Sequence, residues 1–192
     1  MAAPSRSLIL STAMLQPRAE TMDRSDLARA LERLHPESWG WALACCGRDR
    51  ELAEEALQSA YVRMLSARAT WGGRSSLKTW VFGVIRLTAI EEMRRRRMRH
   101  ARTVEEATAI DVADPAPGAD AQTEWAERSA VLVAALDRVS ARQREVLQLV
   151  FYHGMTIEEA AGVMRVSLGS ARTHYDRGKK ALAQLLTREH VR

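Results

Sequence analysis

Cysteine is almost missing from this chain: its 192 residues hold two, Cys45 and Cys46, side by side. Adjacent thiols suit neither a disulfide framework nor the spacing of a CxxC metal or redox site, so two small core residues in a reducing compartment are expected. Long apolar runs are missing too. None approaches the roughly 20 residues that span a bilayer, so no membrane insertion is expected. The stretch from Leu8 to Leu15 follows Arg6 but contains Ser11 and Thr12, with no A-x-A site close behind, which separates it from a secretory signal. A cytoplasmic protein is expected. The five histidines are dispersed, and the chain has no HExxH, no glycine-rich phosphate loop and no cluster of His, Cys and carboxylate. Catalytic residues, metal ligands and cofactors are therefore expected to number none. No segment of useful length alternates with period two, which argues against strands.

What the chain does have is helical spacing and segmented charge. A hydrophobic fraction of 46% is ample for packed cores, and Lys+Arg 29 against Asp+Glu 24 is only modestly basic. The distribution says more than the sum. From Arg86 to Arg102 there are seven arginines against two glutamates, whereas residues 104 to 124 hold six carboxylates and no basic residue. The spacing predicts an all-α protein. Ser25 or Asp26 caps a first helix through Leu34, closed at His35-Pro36 because the residue before proline is pushed out of the helical region. Ser38 then caps a second helix through Cys46, stopped at Gly47. A third is expected from about Asp49 to Ala67, with Leu52, Ala56, Leu57, Ala60, Tyr61, Met64 and Leu65 on one stripe and Glu51, Glu54, Glu55, Gln58, Ser59 and Arg63 turned away. Gly72 and Gly73 break the chain, Ser75 or Ser76 caps again, and a fourth helix is predicted from Leu77 to about Met98 or beyond. Residues 103 to 122, with two prolines and a run of acids, read as a linker. Helices are then predicted over Thr123 to Val139, Arg142 to His153, Thr156 to Met164, and Ser167 to about Leu186. The expected organisation is a disordered tail over residues 1–22, with Met1 and Met22 both open as the start, one helical domain over 23–102, the acidic linker over 103–122, and a second helical domain over 123–192.

MTIEEAAGVMRVSLGSARTHYDRGKKAL, residues 155 to 182, carries the most specific local pattern. Thr156 with Glu159 forms a capping box, Arg165 and Val166 make a short turn, and Ser167 caps the next helix. In that helix Leu168, Ala171, Tyr175, Gly178, Leu182 and Leu185 recur at three and four and face the core. Ser170, Arg172, Thr173, His174, Arg177 and Lys180 face outward. Such a helix, braced by a short one before it, can enter a major groove with polar side chains near base edges and cations near phosphates.

Residues 53 to 65, AEEALQSAYVRML, and 71 to 98, WGGRSSLKTWVFGVIRLTAIEEMRRRRM, precede this pair in an order that resembles the extracytoplasmic-function (ECF) sigma factors of the sigma-70 family. The resemblance covers Leu31 to Leu186. It implies two small helical domains, region 2-like and region 4-like, that bind core RNA polymerase through its β′ and β subunits and bind promoter DNA, with an anti-sigma factor as a further partner. It implies a core-binding face of Glu54, Glu55, Gln58 and Arg63. It implies −10 recognition and melting by Trp71, Arg74, Ser75, Ser76, Lys78, Trp80, Arg86 and Arg94, Arg95, Arg96 and Arg97: an aromatic platform suits a flipped base, and cations suit the displaced strand. It implies −35 recognition by Ser167, Ser170, Arg172, Thr173, His174, Arg177 and Lys180. The family's usual residues are replaced at Ser59, Leu87, Val139-Ser140 and His174. Two rival readings stay open: a stand-alone helix-turn-helix regulator, which leaves the acidic face of residues 51 to 63 unused, and a helical protein-interaction adaptor. For Trp80 a core position and a base platform are both open.

Overall fold

The computed structural model describes residues 22–103 and 123–190, and all its regular elements are helical. α1 spans Arg24–Cys45 and is capped by Asp23, whose carboxylate accepts the Arg24 N–H at 2.7 Å. It does not break at Pro36. Neither Ser25 nor Asp26 caps it, and Ser38 lies buried inside the helix and not at the head of a second one. The reason is packing: Ala30 and Leu31 before the proline and Trp41 and Ala42 after it share one buried stripe. An interior proline costs about 3 kcal/mol, and full burial of large apolar side chains such as Leu31 and Trp41 stabilises by roughly 1.5–3 kcal/mol each. Continuity wins.

Gly47, at φ 66°, turns the chain into α2, Arg50–Leu65, capped by Asp49 through the Leu52 N–H. The expected stripe is buried or half-buried, with Ala53 added, while Glu51, Glu54, Glu55 and Gln58 are exposed. α3 runs over Leu77–Thr103 and is capped by Ser76, whose Oγ accepts the Thr79 N–H at 3.1 Å. These three helices enclose Leu31, Trp41, Ala56, Leu57, Val81, Phe82 and Ile85.

The second unit comprises α4, Thr123–Arg138, α5, Ala141–Leu147, α6, Ile157–Met164, and α7, Leu168–His190. Ser140 with Gln143 and Thr156 with Glu159 form reciprocal capping boxes at the heads of α5 and α6. The single helix expected from Arg142 to His153 instead widens after Leu147 into a π turn over Gln148–Tyr152. This resets the helical phase, so that Leu149 and His153 are buried whereas Phe151 and Tyr152 are 63% and 76% exposed. α5 and α7 cross closely at Gly178, where a Cβ would lie 3.1 Å from Gln143 Cβ and Leu147 Cδ1.

The two units pack together. α3 lies along α6, and Val146, Leu149, Met155, Ala160, Val163 and Met164 join Trp41, Phe82 and Ile85 in one apolar cluster. Nothing in the helical spacing announced that seam.

Candidate nucleic-acid interface

The α6–α7 pair has the geometry of a helix-turn-helix. Arg165 ends α6 in the left-handed conformation, φ 54°, and the Val166 N–H reaches back to the Ala161 carbonyl at 3.1 Å, a Schellman-type close. Ser167 caps α7: its Oγ accepts the Ser170 N–H at 3.1 Å and shares a 2.9 Å hydrogen bond with the Ser170 hydroxyl. Ala171 and Gly178 are buried and Tyr175 half-buried. Ser170, Arg172, Thr173, Arg177 and Lys180 are exposed on the other side, with His174 half-buried among them. The Thr173 hydroxyl donates to the Gly169 carbonyl at 2.9 Å.

On the first unit, the Trp71 indole N–H donates to the Ser75 carbonyl at 3.0 Å and closes the loop that exposes Arg74, Ser75 and Ser76. Trp80 is half-buried against the core. Lys78 is engaged: its Nζ donates to the His153 carbonyl at 2.8 Å and to the Glu37 carboxylate. Arg86 is not on the surface at all. It is 5% exposed, with Nε 2.7 Å and Nη2 3.3 Å from the two carboxylate oxygens of Glu145 on α5. Arg95 pairs with Glu92 at 2.9 Å and Arg96 with Asp49 at 2.6 Å, while Arg94 and Arg97 are exposed. The phosphate-tracking row expected along α3 is thus split, its outer end accessible and its inner end covered by the second unit.

On α2, Glu54, Glu55 and Gln58 form an exposed face, and the Gln58 amide donates to Glu54 at 3.2 Å. Arg63 is turned toward Glu91 on α3 at 2.5 Å, and that guanidinium holds the Glu91 carboxyl below its usual range. It ties two helices together. Sequence reasoning missed Glu37, Glu145 and His153. His153 is 5% exposed, with ring centroids of Phe82 and Tyr152 at 4.8 and 4.9 Å, and burial first, then the Lys78 charge, lowers its pKa to about 4. These residues act across the seam, which leaves no trace in local spacing.

The pattern of Sigma-70 region 2 matches residues 30–99 and that of Sigma-70, region 4 matches residues 129–182. The ECF RNA polymerase sigma factor SigX of Bacillus subtilis is 35% identical over 138 residues, 70% of this chain and 71% of that protein. The chain belongs to the ECF sigma factors. Similarity extends to the ECF RNA polymerase sigma factor EcfG of Rhodopseudomonas palustris, 28% identical over 165 residues, 85% of this chain and 84% of that one. The fold is that of the sigma factor RpoE from Bartonella quintana, solved in complex with the anti-sigma factor NepR, at a TM-score of 0.60 and 22% identity over 85% of this chain and 98% of that chain. It is also that of CnrH, solved with the cytosolic domain of CnrY, at a TM-score of 0.55 and 20% identity over 86% and 90%. As a sigma factor, the protein binds core RNA polymerase and promoter DNA and directs transcription initiation. Sigma factors are in general non-enzymatic regulators that recognise DNA. Among the described residues no helix is long and apolar enough to cross a membrane.

Proposed function

We propose a division of labour within this sigma factor that follows the three surfaces. The α2 face of Glu54, Glu55 and Gln58 docks on core polymerase, with Arg63 holding α2 in register with α3. Trp71, Arg74, Ser75, Ser76, Lys78, Trp80, Arg86 and Arg94 to Arg97 read and open −10 DNA. Ser167, Ser170, Arg172, Thr173, His174, Arg177 and Lys180 read −35 DNA. The domains run over 23–102 and 123–192, joined by the acidic segment 103–122; both that segment and the expected tail over 1–22 lie largely outside the described residues. The protein is cytoplasmic, carries out no catalysis of its own, and is held by an anti-sigma factor, as RpoE and CnrH are bound by NepR and CnrY in their solved complexes.

The observation that supports this best is the α2 face. Its apolar stripe is buried or half-buried in the core, yet the consecutive carboxylates Glu54 and Glu55 and, one turn on, the Gln58 amide stand exposed. Opening of DNA needs no hydrolysis in this scheme: lost base stacking is exchanged for aromatic and cationic contacts to the freed strand. Co-elution with bacterial core polymerase at moderate salt tests it. Glu55→Lys should abolish the complex and spare binding to promoter DNA by the −35 unit, whereas Arg172→Ala with Arg177→Ala should do the reverse; equal losses in both assays would defeat the assignment.

A further inference from the structure

Residues of α1, α3 and α5 line a cleft of about 460 Å³. That lies in the size range of small-molecule sites. Ile90 and Met93 belong to its apolar lining, and its charged lining is the four guanidiniums of Arg86, Arg97, Arg142 and Arg144 with the single carboxylate of Glu145. The acids do not balance the bases. Glu145 is shared between Arg86, at 2.7 and 3.3 Å, and Arg142, at 3.0 Å, while Asp137 is shared between Arg144, at 3.2 Å, and Arg48, at 2.9 Å. Arg97 makes no ion pair with any described residue. A second hollow of about 310 Å³ shares Met93 and Arg97 with the first and adds Leu52, so the apolar lining continues along α3 past the free guanidinium. Cationic and apolar surface thus meet in one concavity.

We propose that this cleft is a binding site for a phosphate monoester with an aliphatic body, its head on Arg97, Arg142 and Arg144 and its chain along Ile90 and Met93. A phosphate monoester carries about −1.5 to −2 charge at pH 7 and offers three acceptor oxygens, which suits several guanidiniums sharing too few carboxylates. A carboxylate, with one charge, matches them less well. Arg86 is 5% exposed and held bidentately by Glu145, so it fixes that carboxylate and takes no part in contact with the head. The body is aliphatic because no ring face is on offer: Trp41, the one aromatic residue of the lining, is fully buried and stacked on Phe82 at 5.8 Å. A nucleobase would find nothing to stack on. Ile90, 42% exposed, and the flexible thioether of Met93 instead give a chain a surface that adapts to it. The site needs neither the −10 nor the −35 assignment made above.

The test titrates the full chain with decyl phosphate, kept below the concentration at which it forms micelles, and reads heat and melting temperature. Saturable binding of one molecule per chain, with a raised melting temperature, is expected. Inorganic phosphate, which lacks the body, decanol, which lacks the charge, and decanoate, which has half the charge, should each bind weaker on the order of tenfold or more. Arg142→Gln removes one head contact and leaves the Arg86–Glu145 pair in place. Ile90→Glu puts a carboxylate where the chain should lie, at a position exposed enough for the helix to accept it. Both should weaken decyl phosphate on the order of tenfold, whereas Leu132→Glu, equally exposed at 42% on α4 and outside the cleft lining, should bind as the wild type does. No saturable binding, or equal binding of decanol or inorganic phosphate, overturns the ligand class. Equal affinity in Arg142→Gln, Ile90→Glu and wild type overturns the site. Capture on vesicles of dioleoyl phosphatidate without binding of monomeric decyl phosphate overturns the cleft in favour of a surface contact.

Discussion

The two basic surfaces proposed above to face DNA stand in opposite states. On α7 the predicted contact residues Arg172, Thr173, Arg177 and Lys180 are all exposed, and the helix needs nothing from the first unit to present them. On α3 Arg86 is buried, Lys78 is half-buried, and both are bonded across the seam, although the sequence offers them in as plain a basic pattern as α7 does. A cation on a helix face is therefore not yet a DNA contact. Whether it is free depends on the carboxylate that packing brings to it, and Glu145 lies 59 positions from Arg86 in the chain.

Acid should separate the two surfaces most. His153 is buried neutral, facing Lys78 from α3 and Glu37 from α1, and its pKa falls from 6.5 to about 4. The opened or unfolded protein then takes up the proton first. The stabilisation is complete above about pH 6.5, is lost as pH falls toward 4, and changes no further below that. At about 1.4 kcal/mol per pKa unit the full loss is on the order of 3 kcal/mol. Sedimentation or radius measurements across that window should show the seam opening, and His153→Gln should flatten the curve. If the wild type and His153→Gln respond alike, this histidine is not what closes the covered surface.

Next in size is the open surface. Arg172→Ala with Arg177→Ala should weaken −35 DNA binding by roughly 1–3 kcal/mol and lower the salt slope by about 2, with no change in radius. Gly178→Ala should destabilise the second unit alone by about 1–2 kcal/mol, because Leu147 and Gln143 must move aside by more than the helix gains from alanine. A lowered melting temperature with intact binding of core polymerase is the expected pattern. Smallest is Arg165→Gly, which relieves a left-handed residue at the end of α6 and should raise stability by about 0.5–1 kcal/mol in thermal melts. Thiol labelling sharpens the comparison from inside. Burial, and then the Glu145 charge, hold the Cys45 pKa well above its usual value, and burial first pushes that of Cys46 up to about 11, so both should react slowly in the native protein and faster once acid loosens it.

Much of the architecture was readable locally. The capping box at Thr156, the core stripe of α2 and the outward set of α7 all follow from bonds and spacings within four residues. Pro36 shows where such reading fails. A local rule placed a helix end there, but the buried stripe running past it from Leu31 to Trp41 carried more free energy than the proline cost. The π turn after Leu147 fails differently: a run of apolar residues does not reveal a one-residue change of phase, and only the choice between Phe151, Tyr152 and His153 for the interior makes it visible. Arg63 looked like part of a docking face and is held by Glu91, 28 positions away.

The sequence by itself determined the all-helical class, the capping box at Thr156, the helix-turn-helix and the family, because each is written in short-range spacing and in motifs that keep their order along the chain. Only the tertiary structure decided which of the charged residues are available. Availability depends on partners far apart in sequence, and a buried carboxylate opposite a guanidinium is a matter of how α3 meets α5 and α6 in space.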